Sequence, residues 1–213
     1  MQIDVWSDVV CPWCFLGKRR LEAALEGVDD VEVRWRAFQL DPSAGDEPGP
    51  LRPVLDAKYG PGAFDSMTTR LSALGAEAGI DYRWDDVQRV SSRRALELVA
   101  WVDAEYGADT AERLHERLFR AYFTEGGNIA DVDELAGWAA DVGLDRGLAA
   151  EALSGRAGAD AVDADLQLAA ERGIQGVPGF VFADTWLVSG AQDVDTMRQV
   201  LAQVREQLAE AAQ

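Results

Sequence analysis

The chain has 213 residues, of which 38 are acidic and 20 are basic, so its formal net charge is −18. This charge repels phosphate backbones and anionic lipids, which argues against nucleic acid and membrane partners. Apolar residues make up 48% of the sequence, enough for a continuous buried core. No apolar run approaches the ~20 residues that span a bilayer. The first ten residues lack the character of a secretory signal, so we expect a globular cytoplasmic protein.

The first 38 residues predict a strand, a helix and a second strand. Residues 2–6 alternate loosely between apolar and polar side chains, and residues 31–38 alternate more cleanly, which is typical of strands. Between them, apolar residues from Leu21 to Val28 recur at the spacing of one helical face. The sequence Cys-Pro-Trp-Cys at residues 11–14 stands where this helix begins. The order predicts a βαβ unit.

The middle of the chain predicts helices. Residues 41–53 hold four of the seven prolines and two glycines, so we expect a connector without regular structure. Helical periodicity then continues to residue 172, and Asp131 has the position of an N-cap to which Glu134 reaches back. The residues expected on buried faces are Ala95, Leu98, Val99, Val102, Tyr106, Ala111, Leu114, Leu118, Ala121, Val132, Leu135, Ala136 and Ala139.

The pattern returns to strands near the C-terminus. Residues 179–182 and 186–188 predict two short strands, and a final helix follows from Asp193. Both ends of the chain are therefore α/β, while the middle is helical. The apolar residues expected on the inner face of the last helix are Met197, Val200, Leu201, Val204 and Leu208.

Cys11 and Cys14 are the only two cysteines, and they lie at the predicted start of a helix, where Pro12 suits the first turn. A sulfur at a helix start faces unpaired N–H groups and the positive end of the helix dipole, which favours the thiolate that attacks disulfides. A Cys-x-x-Cys pair near a βαβ pattern is also a recognised sign of a thioredoxin-like redox centre. We predict that Cys11 is the nucleophile and that Cys14 resolves the mixed disulfide.

Two other interpretations of the cysteine pair stay open. The pair is half of a zinc site if two more ligands exist, but His115 is the only histidine. The pair is also compatible with two inert core cysteines. We predict no metal site, and we assign no role to His115 because it falls on the polar side of its predicted helix.

Pro178 precedes the predicted strand at residues 179–182, and it too has two interpretations. A proline at the first residue of a strand breaks no ladder hydrogen bond, so Pro178 suits a strand entry. A cis Val177–Pro178 bond is the alternative, and it would leave the backbone of Val177 free to pair with a substrate strand.

Five spaced motifs together resemble a known family. They are residues 7–14 (Ser-Asp-Val-Val-Cys-Pro-Trp-Cys) with Gly17, residues 33–38 (Val-Arg-Trp-Arg-Ala-Phe), residues 118–123 (Leu-Phe-Arg-Ala-Tyr-Phe), residues 176–178 (Gly-Val-Pro) and residues 189–192 (Ser-Gly-Ala-Gln). The chain resembles, over nearly its whole length, the DsbA-like oxidoreductases of the FrnE type.

The resemblance implies a thioredoxin-like α/β fold with an inserted all-helical domain. On this view residues 1–45 and 173–213 form the two halves of the thioredoxin-like domain, and residues 46–172 form the helical insertion. It also implies that Val177–Pro178 is cis and lies against the cysteine pair. Pro12 and Trp13, between the two sulfurs, would then support the site.

Some relatives in the same superfamily, the kappa-class glutathione transferases and the 2-hydroxychromene-2-carboxylate isomerases, carry serine where this chain has Cys11. They hold glutathione partly at the start of the last helix, which matches Gly190, Ala191, Gln192 and Asp193 here. A low-molecular-weight thiol is therefore an expected co-substrate, with no tightly bound cofactor. Two departures leave substrate contacts open: residues 91–94 read Ser-Ser-Arg-Arg, where relatives show other pairs, and Gly179 follows the proline.

Three functions are consistent with these residues. The first is thiol-disulfide exchange or isomerisation on protein or small-molecule disulfides, with a thiol or reductase system that recycles the dithiol. The second is a transferase, isomerase or reductase of small organic molecules that depends on glutathione, mycothiol or a similar thiol. The third is a non-catalytic binding or chaperone module in which the cysteine pair is vestigial.

Overall fold

The computed structural model describes residues 1–211. Its strands are β1 (Gln2–Ser7), β2 (Glu32–Ala37), β3 (Gly49–Pro50), β4 (Gln88–Arg89), β5 (Gly179–Phe182) and β6 (Trp186–Ser189). Its helices are α1 (Pro12–Ala24), α2 (Leu51–Tyr59), α3 (Ala63–Glu77), α4 (Arg93–Tyr106), α5 (Ala108–Phe123), α6 (Val132–Asp141), α7 (Arg146–Ser154), α8 (Ala159–Glu171) and α9 (Val194–Ala211).

The main sheet has four strands in the order β2-β1-β5-β6. Strands β1 and β2 are parallel, with Val5 opposite Trp35, because α1 connects them as a crossover. Strand β5 is antiparallel to both of its neighbours. Helices α2 to α8 lie between β2 and β5 in the chain. The predicted thioredoxin-like α/β fold with a helical insertion is confirmed, whereas the domain boundaries given above stay predictions.

Helix α1 is held between two buried clusters. On one side, Leu21 and Ala24 pack in a cluster with strand residues such as Val5 and Phe180 and with Met197 of α9. On the other side, its first turns belong to a second cluster that extends through the helical region. The members of that cluster closest to the dithiol in the chain are Val9, Cys11, Cys14, Phe15 and Leu16. Both clusters therefore fix the position of the dithiol.

The predicted connector at residues 41–53 is shorter than expected. Helix α2 begins at Leu51 and includes Pro53, which the first turn accepts because N–H groups there have no partner within the helix. Just before it, Gly49 and Pro50 pair with β4 in a two-stranded sheet that the sequence pattern did not indicate.

Predictions on three helices need correction. Tyr106 and Leu208 are 41% and 39% exposed, although both were predicted to be buried. Each lies near the C-terminal end of its helix. At α6, the Asp131 carboxylate accepts the N–H of Glu134 as predicted, but Glu134 Oε2 accepts the N–H of Asn128 and not that of the cap. The reciprocal half of the capping box is therefore absent at α6.

Gly158 precedes α8 at a point where the helix start meets the backbone of α4. A Cβ on Gly158 would lie 2.0 Å from the carbonyl oxygen of Glu97, which is far inside contact distance. We expect Gly158→Ala to lower the free energy of unfolding by about 3 kcal/mol, because backbone atoms cannot move aside as a side chain can. Urea unfolding followed by circular dichroism measures this loss.

Gly137 provides the matched control for that substitution. It lies inside α6, and a Cβ there would meet nothing within 4 Å beyond the adjoining backbone of the helix. Gly137→Ala should raise stability by ~0.5–1 kcal/mol, since alanine loses less backbone freedom in a helix. Equal effects at the two glycines would contradict the close approach of α8 to α4.

Candidate active site at the dithiol

The N-terminus of α1 carries the cysteine pair. Cys11 is the N-cap in an extended conformation, and no side chain caps the helix start. Its carbonyl oxygen accepts the N–H groups of Cys14 and Phe15 at 3.0 and 3.3 Å, and its own N–H donates to Asp8 O at 3.0 Å. Pro12 opens the helix as predicted. Pro12 has no N–H, so the Trp13 N–H is the first-turn donor left to an external partner, consistent with a site for negative charge.

Both cysteines are buried free thiols, Cys11 at 3% and Cys14 at 1% exposure, but the residues that follow them differ. Cys11 is followed by two partly exposed residues, Pro12 and Trp13, whereas Cys14 is followed by buried Phe15. Burial raises the pKa of the Cys14 thiol well above its usual range, and the hydrogen bond and charge of Cys11 raise it further. The N–H of Asp8 and the hydroxyl of Ser7 act in the opposite direction. Cys14 is therefore the inner cysteine of the pair.

Val177 and Pro178 lie against the outer cysteine. The peptide bond between them is cis, and the Cys11 thiol donates to the carbonyl oxygen of Val177 at 3.6 Å. Gly17 of α1 leaves room for the Pro178 ring, because a Cβ on Gly17 would lie 3.0 Å from Pro178 Cγ. Residues that are 166 positions apart thus meet at one sulfur.

Two side chains of the helical region hold the Cys-Pro-Trp-Cys turn. The Tyr82 hydroxyl donates to Pro12 O at 2.7 Å. Burial, with the nearby sulfurs, raises the pKa of Tyr82, so this hydroxyl keeps its proton as a permanent donor. Arg70 lies over the Trp13 ring, 5.4 Å from its centroid. Sequence reasoning missed both Tyr82 and Arg70, since nothing near them in the chain points to the dithiol.

Asp8 is a buried carboxyl three residues before Cys11. Its side chain accepts the N–H of Leu40 at 2.6 Å, the N–H of Val10 at 3.4 Å and a hydrogen bond from Ser92. Burial outweighs these hydrogen bonds and raises the pKa of Asp8 from 3.8 to about 6. Asp8 therefore ties the loop before the dithiol to the connector after β2, and sequence reasoning assigned it no role beyond a motif position.

Comparison with known proteins places this geometry in a family. Residues 2–202 match the DSBA-like thioredoxin domain. The chain belongs to this family. Its members are thiol-disulfide oxidoreductases, so the predicted DsbA-like class is confirmed, while the FrnE type stays a prediction.

Three proteins illustrate the similarity of this DsbA-like chain. A probable DsbA oxidoreductase from Streptomyces coelicolor has a TM-score of 0.88 and 34% identity, covering 95% of this chain and 89% of that one. The uncharacterized protein YwbO of Bacillus subtilis (strain 168) is 32% identical over 206 residues, which cover 95% of this chain and 96% of YwbO. The cytosolic disulfide reductase DsbM from Pseudomonas aeruginosa has a TM-score of 0.70 at 22% identity, covering 96% and 99%, and shows a shared fold.

The prediction that His115 faces solvent in this DsbA-like protein is wrong. The side chain is 2% exposed, and its ring packs on Trp35 and Phe119. Its Nε2 atom lies 3.4 Å from Ser7 Oγ. Burial, with the positive charge of Lys18, lowers the pKa of His115 to about 3, so the ring is neutral at neutral pH. The sequence pattern was misleading because most residues next to His115 in the sequence are charged, although His115 itself faces the core.

The predicted thiol-docking segment, Gly190 to Asp193, lies beside the dithiol region. Gly190 N–H donates to Pro178 O at 2.8 Å, and Arg20 of α1 donates to Ala191 O at 2.8 Å. The Asp193 carboxylate already accepts the N–H of Thr196 and so caps α9. An anionic ligand would therefore meet the start of α9, where the Asp193 carboxylate already neutralises part of the positive end of the helix dipole.

The departure at residues 91–94 has a structural use. Arg93 pairs with Glu97 and Asp163, and Arg94 donates to Ala130 O at 2.7 Å. These arginines hold the helical region together.

Among residues 1–211, no group of three or more His, Cys, Asp or Glu side chains is arranged to hold a metal ion. No helix in the same range combines the length and apolar content needed to cross a bilayer.

Proposed function

We propose that the protein exchanges its Cys11–Cys14 dithiol with disulfides of proteins or small molecules. The observation that carries the proposal is the placement of Cys11 at an uncapped helix start, with its sulfur 3.6 Å from the backbone carbonyl of Val177. The helix dipole and the N–H of Trp13 favour negative charge on the sulfur during exchange. Backbone beside the sulfur offers a place for an extended substrate segment to pair.

The exchange has two steps. The thiolate of Cys11 attacks one sulfur of the substrate disulfide, whose S–S bond breaks, and half of the substrate leaves as a thiolate. Cys14 then attacks the Cys11 sulfur, so the Cys11–Cys14 bond forms and the second half of the substrate leaves. The dithiol loses two electrons and the substrate disulfide gains them. The reverse sequence transfers a disulfide to a substrate.

We further propose that a low-molecular-weight thiol or a reductase system restores the dithiol in the cytoplasm. The fold shared with DsbM, a cytosolic disulfide reductase also solved with GSH, supports this choice. The segment from Gly190 to Asp193 lies next to Pro178, so a thiol bound there would be near Cys11. The small-molecule transferase or isomerase and the chaperone module remain hypotheses that no contact described above favours.

Trapping of a mixed disulfide tests the proposed exchange. Cys14→Ser, incubated with a disulfide-containing protein such as insulin, should accumulate a one-to-one adduct at Cys11 that dithiothreitol releases, because the second step has lost its nucleophile. Mass spectrometry of the digested adduct locates the bond.

Cys11→Ser is the matched control for the trapping experiment. It keeps one thiol, but burial raises the pKa of Cys14 well above its usual range, so we expect no adduct under the same conditions. Equal adduct formation by the two variants would contradict the assigned roles. Absence of any adduct on Cys14→Ser, while the wild type reduces the same substrate, would contradict the two-step mechanism.

A further inference from the structure

A line of buried polar groups leads away from the inner cysteine. The Ser7 hydroxyl adjoins the Cys14 thiol, whose pKa it acts to lower, and Ser7 Oγ lies 3.4 Å from His115 Nε2. Ser7, Cys14 and His115 are 1%, 1% and 2% exposed. Ser7, at the end of β1, therefore stands between the thiol on α1 and His115 on α5.

The step in which Cys14 attacks Cys11 needs a group that accepts the thiol proton of Cys14. Cys14 attacks as a thiolate, yet burial raises its pKa well above the usual range, so it enters the reaction with its proton attached. At 1% exposure the sulfur has no direct contact with bulk water that would accept this proton. A positioned group that takes a proton in the transition state typically accelerates such a step by ~100-fold or more.

His115, the polar group farthest from Cys14, borders a cavity of about 250 Å³ between β2 and the helices. Ser7 and Trp35 are also among the residues that line this cavity. Two buried polar atoms of these lining side chains, His115 Nδ1 and Trp35 Nε1, have no hydrogen-bond partner within the described part of the chain. Buried polar atoms in folded proteins nearly always have a partner, which includes ordered water. The cavity has room for water next to the side chains that need one.

We propose that Ser7 and His115 relay the proton of Cys14 into this cavity while the mixed disulfide is resolved, an inference that rests on the proposed exchange. As Cys14 attacks Cys11, the thiol proton passes to Ser7 Oγ and the Ser7 hydroxyl proton passes to His115 Nε2. The proton on Nδ1 leaves to a water molecule in the cavity. The Cys11–Cys14 bond forms, and the substrate leaves as a thiolate with the electron pair of the broken bond.

The relay leaves the histidine neutral, changing only which ring nitrogen carries the proton. A neutral ring agrees with the surroundings, because burial and the nearby Lys18 both disfavour an imidazolium at this position. The charge of Lys18 is itself paired with Glu22, Glu112 and Glu116. His115 is therefore suited to pass a proton on and not to store one.

The other buried acid near the dithiol is Asp8, and its carboxylate faces a different direction. Its oxygens accept the N–H groups of Leu40 and Val10, and Asp8 reaches the Cys14 sulfur only through its backbone N–H. Other titratable or charged groups lie around Cys14, Ser7, His115 and the cavity. They are Cys11 and Lys18 on α1, Arg34 and Arg36 on β2, Asp103 on α4, Glu112, Glu116 and Tyr122 on α5, and Asp165 on α8.

Stopped-flow reaction of the reduced protein with dithiodipyridine separates the two steps. This disulfide is uncharged at neutral pH, so the net charge of −18 does not repel it. Attack by Cys11 releases a first thiopyridone, and resolution by Cys14 releases a second. In His115→Phe and Ser7→Ala, we expect the second release to slow at least tenfold and the first to change less than about twofold.

The pH dependence distinguishes a relay from a structural effect. Between pH 7 and 9, above the pKa of about 6 for Asp8, the second release in both variants should rise about tenfold per pH unit, because only hydroxide then removes the proton. The wild type should show a shallower slope. Phenylalanine at position 115 keeps a ring against Trp35 and Phe119, so packing is largely retained.

Phe119→Leu is the packing control, since it loosens the contact of His115 without removing a ring nitrogen. It should leave the slope of the second release unchanged, and thermal unfolding reports whether each variant folds. Unchanged rate and slope in His115→Phe and Ser7→Ala, with two releases in the wild type, would overturn the relay alone. Absence of either release in the wild type would overturn the proposed exchange and the relay with it.

Discussion

Phe15→Ala should lower the free energy of unfolding by ~3–5 kcal/mol, the usual range for loss of a fully buried phenylalanine. Phe15 follows the inner cysteine directly and is 1% exposed. Its ring stacks on Phe119 with centroids 4.9 Å apart and meets the edge of Tyr82 at 6.1 Å. The substitution would empty a site enclosed by aromatic rings, which relax little into the space. For a chain of this size the melting temperature should fall by roughly 10 °C.

Phe15→Ala should also weaken the contacts that hold the Cys-Pro-Trp-Cys turn in place. Phe15 joins the first turn of α1 to α5, and Tyr82, which borders Phe15, holds the turn through its hydrogen bond to Pro12 O. Urea unfolding monitored by circular dichroism gives the stability, provided that the m-value is unchanged. Tyr59→Ala is the control, because Tyr59 is 57% exposed and its loss should cost less than ~0.5 kcal/mol. Similar losses for the two variants would contradict the central position of Phe15.

The parts of the site that could be predicted from the sequence are those set by local rules. Cys11 and Cys14 were found because two cysteines, a proline and the start of a periodic helix stand within a few residues of each other. The strands and the helical middle followed from the periodicity of apolar residues in the sequence. The proline of the site was harder, because only family resemblance placed Pro178 beside a sulfur that lies 166 positions away in the chain from Val177.

Residues whose partners are distant in the chain could not be predicted. Ser7 and His115 are 108 positions apart, and the pattern around His115 indicates a solvated face. Its burial follows from the packing of α5 against β2, where the ring meets Trp35, and this is a property of tertiary structure. Tyr82 is similar, because its hydroxyl reaches back 70 positions to Pro12. Such contacts depend on where the helical region docks on α1, and no local rule states that.

Asp8→Asn should increase stability at neutral and alkaline pH, unlike most substitutions of buried residues. Burial raises the pKa of Asp8 from 3.8 to about 6, so the folded state holds this proton more tightly than the unfolded chain does. The contribution of Asp8 to stability is fully present below pH ~4 and is lost as pH rises through about 6. A shift of about two units corresponds to ~3 kcal/mol. Asparagine carries no charge, so it avoids this loss.

The measurement compares the free energy of unfolding of Asp8→Asn and the wild type from pH 4 to pH 8. The difference should move in favour of the variant by ~3 kcal/mol over this range and become constant above pH ~7. An amide oxygen can still accept the Leu40 N–H, but the weaker 3.4 Å bond from Val10 would be lost, which lowers the curve of the variant equally at every pH. Asp81→Asn, at a side chain that is 78% exposed, should show no such trend. If the difference in the free energy of unfolding between Asp8→Asn and the wild type stays constant from pH 4 to pH 8, the folded state does not raise the pKa of Asp8. The hydrogen bonds to the carboxylate would then offset the cost of burying its charge.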